Sequence, residues 1–233
     1  MNRIKELDGL RGIAIIIIII SHFENSFLTN GGVNIFFVLT GFLITKIIYS
    51  KGINFNIFQF YLLRLNKLYP QLLLLLFLIF FIYLLLGEFD KNKIFLDSLT
   101  SSISSTMNYY LMNEKIDYNN QYFINPFLPI WAFSVIIQFY VLYPILLKIL
   151  FKFDKYFKFN EFKLFNIFLI FTVILYISYL SLLLNKNDLS NFYSFFARFW
   201  QFILGGSVYF FIKVYNIKYN SFFIFSGSLL LIL

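Results

Sequence analysis

The sequence contains no cysteine and a single histidine, His22, and only 13% of its 233 residues are charged. Without cysteine there can be no disulfide, no thiolate nucleophile and no cysteine-held metal, and the redox state of the compartment stays open. One histidine among scattered carboxylates argues against a metal cluster, so no metal site is expected. Acidic residues are also few: 11 Asp and Glu stand against 19 Lys and Arg, a net charge of +8. Such an excess could signal nucleic acid. The cations, however, fall in the short segments between apolar runs, where the positive-inside rule would put them, and no nucleic-acid partner is expected.

What the chain has in abundance is hydrocarbon. Hydrophobic residues make up 60% of it, phenylalanine alone 35 positions, and the mean hydropathy is +0.78. This leaves too little polar surface for a soluble domain and reads as an all-helical, polytopic membrane protein.

Six full spans are expected, near Leu10–Phe23, Val33–Tyr49, Pro70–Leu86, Leu128–Phe151, Phe162–Leu184 and Tyr193–Ile212. Gly31 and Gly32 read as a turn into the second. Phe55 to Leu68 has helical apolar spacing and four cations lie between Lys46 and Lys67, which predicts an amphipathic segment along the cytoplasmic surface. Pro70 is then expected to open the third span. Gly87 to Phe127 holds five acidic and three basic residues and one middling helix around Asp97 to Met112, expected outside. The last apolar run, Phe222–Leu233, is shorter than the roughly 20 residues that cross a bilayer. It is expected to be a truncated span, in a single domain over residues 1–233 that is incomplete at its C-terminus. No cleavage pattern follows the first apolar run, which is expected to be retained with the N-terminus cytoplasmic.

Two polar side chains stand out in that first span. Arg11 and His22 flank a run containing six consecutive isoleucines, Ile15 to Ile20. Eleven residues on a helix amount to three turns plus about 20°, so both share one face, about 16 Å apart along the axis. Ionisable groups at membrane depth are costly and start as functional candidates. The plainer alternatives are that Arg11 snorkels to the headgroups and that His22 is an interfacial anchor.

The residues resemble acyltransferase family 3, integral membrane O-acyltransferases of envelope molecules. The resemblance rests on Leu7-Asp8-Gly9-Leu10-Arg11-Gly12, the Arg11 and His22 pair, and the stretch from Gly31-Gly32-Val33-Asn34 to Gly41-Phe42-Leu43-Ile44. Three later stretches continue it in the family's order: Phe60 to Pro70, Trp131 to Tyr140 with Tyr143-Pro144, and Arg198-Phe199-Trp200-Gln201 to Gly205-Gly206. The resemblance implies transfer of an acyl group, commonly acetyl, from coenzyme A to a hydroxyl of a glycan or lipid-linked sugar acceptor, in a bacterial inner membrane with lipid as its surroundings. No bound cofactor is implied; acetyl-CoA is the donor substrate. Arg11 and His22 match the residues most associated with activity, with Arg11 positioned for the donor's phosphates and His22 for deprotonating the acceptor. Substrate or acyl-donor binding is implied for Arg64, Lys67, Arg198, Ser134, Gln138, Trp131 and Asn34.

The chain departs from the family pattern at Pro129 and Ile130, which stand for His-Thr, and at Ile136 and Ile137, which stand for two glutamates. Asn34 stands for an aspartate, Leu63 for the first arginine of a pair, and Gln201 for a glutamate. A second reading, a non-catalytic relative that binds or passes a glycan or lipid intermediate, would follow from those losses.

Overall fold

A computed structural model of the protein describes residues 5–24, 29–86, 93–114, 125–157, 160–184 and 190–217. The described residues are helical, with no strand among them. In chain order they form α1 (Lys5–Glu24), α2 (Thr29–Lys51), α3 (Ile57–Leu85), α4 (Lys93–Ile103), α5 (Met107–Asn113), α6 (Ile130–Phe157), α7 (Glu161–Leu184), the single turn α8 (Ser190–Tyr193) and α9 (Phe195–Val214). Five of these contain stretches long and apolar enough to cross a membrane: Gly31–Lys51, Ile57–Leu85, Ile130–Lys152, Glu161–Leu182 and Phe195–Val214. The all-helical membrane class therefore stands, while the expected count of six spans is not reproduced. Helix α1 covers the first expected span but carries Glu6, Asp8 and Arg11. The apolar run Phe222–Leu233 lies outside the described residues.

Helix starts follow local chemistry. Asn56 caps α3, its side-chain oxygen accepting from Gln59 N at 3.1 Å, and Asn160 does the same for Lys163 N ahead of α7 at 2.9 Å. Pro70 does not open a helix. It lies inside α3, which runs unbroken for 29 residues, so the expected surface segment and third span are one element. The proline removes one backbone donor, but that loss is tolerable in a membrane helix where side chains or water can serve the freed carbonyl. Gly31 and Gly32 likewise do not form a turn; both are helical, in the first turns of α2. The expected single outer helix is two, α4 and α5, separated at Ser105, whose φ is +56°. The break is a left-handed C-terminal turn closed by the backbone, Thr106 N donating to Ser101 O at 2.8 Å, with Ser104 Oγ donating to Thr100 O at 2.9 Å beside it.

The described residues of Met1–Ile53, Leu150–Ile177 and Phe199–Leu233 form one compact unit, and those of Asn54–Ile149 and Ser178–Arg198 a second. In the first, α2 and α9 pack side by side and parallel, as the pairing of Phe37 with Phe202 (ring centroids 4.8 Å apart) and of Phe42 with Tyr209 (5.7 Å) requires. Glycine permits this approach: a β-carbon on Gly41 would meet the carbonyl of Phe202, and one on Gly205 the carbonyl of Val38. Helix α7 runs antiparallel to α9, with Thr172 Oγ1 3.1 Å from Ser207 Oγ and Glu161 accepting from Lys213 Nζ at 2.8 Å. Helices α1 and α2 form a hairpin, where a β-carbon on Gly32 would meet the Ala14 carbonyl at 2.8 Å.

In the second unit α3 meets α6 through Tyr61, whose hydroxyl donates to Val141 O at 2.6 Å, and Phe60 lies against Tyr140. Phe95 of α4 stacks on Tyr83 of α3 at 4.5 Å and touches Phe127. The large apolar side chains left exposed concentrate on α3 and α7, including Leu63, Leu74, Phe77, Ile170, Phe171 and Ile177. Such faces suit lipid rather than water.

Candidate active site

Arg11 and His22 both lie on α1, as the register argument requires. The side chain of His22 lies outside what is described. Arg11 is half-exposed, with Nη1 3.3 Å from Asp8 Oδ1 one turn back on the same helix and a side-chain exposure of 43%. So solvated an ion pair holds the guanidinium weakly and can be exchanged for another anion.

Asn34 belongs to the same unit. Its Oδ1 accepts from Gln201 Nε2 at 2.8 Å, joining α2 to α9. Gln201 is 1% exposed, and its Oε1 has no hydrogen-bond partner among the described residues. Its depth can be placed against α1. Gly32 packs between Ala14 and Ile18, and Asn34 lies two residues, about 3 Å, further along α2. In an antiparallel hairpin that moves toward Arg11, so Asn34 is level with the stretch of α1 between Arg11 and His22.

The second unit gathers another group of the sequence-predicted residues. Trp131, at the start of α6, faces Phe192 and Tyr193 with ring centroids 5.0 and 5.6 Å away. The Arg198 guanidinium lies over Phe192 at 4.6 Å and over Trp131 at 5.6 Å, while its Nε donates to the Phe192 carbonyl at 3.0 Å. With 3% exposure this arginine is buried, and two aromatic faces plus a carbonyl compensate part of its desolvation. Gln138 of α6 exchanges hydrogen bonds with Asn108 of α5, at 2.8 and 3.3 Å, and donates to the Ser105 carbonyl at 3.1 Å. Asn108 reaches on to the Tyr193 carbonyl at 3.4 Å, and Ser105 Oγ lies 3.0 Å from the Tyr69 hydroxyl of α3. Trp131, Gln138 and Arg198 are thus joined through α5 and α8.

Other predicted residues lie elsewhere in this unit. Ser134 is buried, its hydroxyl bonded to Ile130 O of its own helix at 3.2 Å. Arg64 sits between the rings of Phe60 and Tyr140, 5.2 and 5.3 Å from their centroids. Lys67 is exposed on α3.

The sequence reading missed Asn108, Ser105, Phe192 and Tyr193. Asn108 carried one signal, a neutral amide framed by Met107 and Leu111, both of which are fully buried.

The match to known proteins agrees with the first family reading. Residues 4–233 match the acyltransferase domain model of acyltransferase family 3, and the chain belongs to that family. Among its relatives is the O-acetyltransferase OatA of Staphylococcus aureus strain NCTC 8325 / PS 47, 31% identical over 152 residues that cover 62% of this chain and 24% of that protein. A putative O-acetyltransferase of S. aureus strain COL is 32% identical over 152 residues, 63% of this chain and 25% of the relative. The chain thus spans about a quarter of the length of these relatives. No solved structure matches it.

Proposed function

We propose that this protein is a membrane O-acyltransferase that moves an acyl group, acetyl in the first instance, to a hydroxyl of an envelope glycan or lipid-linked sugar. The observation that carries this is membership of the acyltransferase family over nearly the whole chain, with the Arg11 and His22 pair inside the matched region on one helix. The similarity to proteins named O-acetyltransferases supports acetyl as the group moved.

In this reading His22 is the general base. A neutral imidazole takes the acceptor hydroxyl proton as its oxygen attacks the acyl carbonyl. The C–O ester bond forms, the donor's acyl bond breaks, and the imidazolium returns the proton to the leaving group. Arg11, whose solvated pair with Asp8 is weak, turns to the donor's anionic part. An acyl-coenzyme A thioester supplies such an anion and is the donor proposed here, met from the cytoplasmic side of a bacterial inner membrane. Asn34, in the same unit as Arg11 and His22, offers a hydrogen-bonding group.

The test is whether ester follows the gene. Base-labile O-acetyl on surface glycans should vanish in a deletion strain and return on complementation. Unchanged ester in the deletion strain contradicts the proposal.

A further inference from the structure

We infer that Gln201 is a binding residue for the acyl acceptor, its Oε1 accepting a hydrogen bond from a substrate hydroxyl beside Asn34. The inference rests on the O-acyltransferase reading above. It starts from an oxygen buried without a donor. Gln201 is 1% exposed and donates one amide hydrogen to Asn34 Oδ1 at 2.8 Å, while its Oε1 has no partner among the described residues. Buried carbonyl oxygens are nearly always satisfied, and one that is not is costly in a low dielectric. Neither lone pair of this oxygen meets a protein donor among the described residues.

Position gives the oxygen a use. The amide pair lies between α2 and α9 at a depth level with the α1 stretch between Arg11 and His22, because Gly32, two residues before Asn34, packs against Ala14 and Ile18. A hydroxyl entering the proposed site has to surrender its proton to His22. A polyol brings several hydroxyls, and a neighbouring one can donate to Gln201 and so fix which oxygen is presented to the base. The amide is suited to a neutral, hydroxyl-rich ligand. It carries no charge to be desolvated when that ligand is absent, and it does not titrate.

The backbone around the pair is fixed for this task. Phe37 stacks on Phe202, the residue after Gln201, and Gly41 and Gly205 bring the two helices into backbone contact. A side chain set on helices locked this way is held for binding rather than left to adjust.

The experiment uses the full chain, purified in detergent, with the unacetylated surface glycan extracted from the deletion strain as the probe. Wild type and His22→Ala should both be stabilised by this glycan against heat, since the base is not needed for binding. Gln201→Met, close in volume but without the oxygen, also loses the Nε2 donor to Asn34, so the unliganded protein should melt somewhat lower; measured from that baseline it should require about tenfold more glycan for half the shift, the effect of one neutral hydrogen bond. Gln201→Glu retains an acceptor oxygen and should restore the response. Should Gln201→Met accumulate poorly, Gln201→Ser, which falls short of the ligand, must show the same tenfold weakening. A Gln201→Met or Gln201→Ser protein that responds to the glycan as wild type does overturns the inference and leaves the transferase reading intact. Loss of the transferase reading shows separately, as ester in the cells that does not depend on the gene.

Discussion

The space that a β-carbon on Gly41 would need is filled by the backbone carbonyl of Phe202. Neither partner is a mobile side-chain tip, so the contact cannot be relieved without moving a helix. Gly41→Ala and Gly205→Ala should each destabilise the protein by about 1–3 kcal/mol through overpacking. Gly9→Ala, on α1 where nothing lies within 4 Å of the new carbon, should instead raise stability by up to about 1 kcal/mol through helix propensity. Thermal unfolding of the three variants in detergent checks the opposite signs.

The Asn108 and Gln138 amides act as a unit. Each donates to the other, and each also donates to a backbone carbonyl, that of Tyr193 or of Ser105. Gln138→Ala strands the buried Asn108 and should cost about 1–3 kcal/mol, while Asn108→Ala leaves the half-buried Gln138 and should cost about 1 kcal/mol. The double variant should cost less than the sum, by about 0.5–3 kcal/mol of coupling. A double-mutant cycle in urea measures it; additive losses would show that the pair is not coupled.

The contrast between these two contacts explains what the sequence could convey. Hydropathy located α2, α6, α7 and α9 because a span needs its own run of apolar residues. Which helix Gly41 would meet was not legible, since Phe202 lies 161 residues away and nothing local records a partner. Pro70 misled because proline is most at home in a helix's first turn, a preference that weakens inside a long membrane helix such as α3. Asn108 lies in a segment rich in Asn, Ser and Thr, where the flanking Met107 and Leu111 were its one sign of burial and nothing local named Gln138 as its partner. The orphan oxygen of Gln201 is a property of packing and has no sequence signature.

Arg198 is held by geometry that lysine cannot copy. Its planar group lies over Phe192 and Trp131 while Nε donates to the Phe192 carbonyl. Arg198→Lys keeps the charge but loses the secondary nitrogen and the flat stacking face, and should cost about 2 kcal/mol. The unfolding midpoint, compared at equal membrane abundance, checks this; wild-type stability would mean that charge alone suffices there.

Alkaline pH should weaken helices α4 and α5. Burial pushes the Tyr110 hydroxyl above its usual pKa; a hydrogen bond with Ser98 opposes the shift, and the nearby carboxylates of Glu114 and Asp97 reinforce it. A folded-state pKa raised above the unfolded value means that this contribution is full below about pH 10, the ordinary tyrosine value. It is lost as pH rises through the higher folded value. Tyr110→Phe should therefore flatten the alkaline fall in stability, measured as melting temperature from pH 8 to 11. An unchanged slope would assign the fall to other groups.

The most direct test of the account is the base-labile O-acetyl content of surface glycans in a deletion strain complemented with wild type or with His22→Ala, the two proteins equally abundant in the membrane. If His22 is the base, wild type restores the ester and His22→Ala leaves it at least about a hundredfold lower, the scale of lost general-base catalysis. Ester restored to wild-type level by His22→Ala would contradict the central claim.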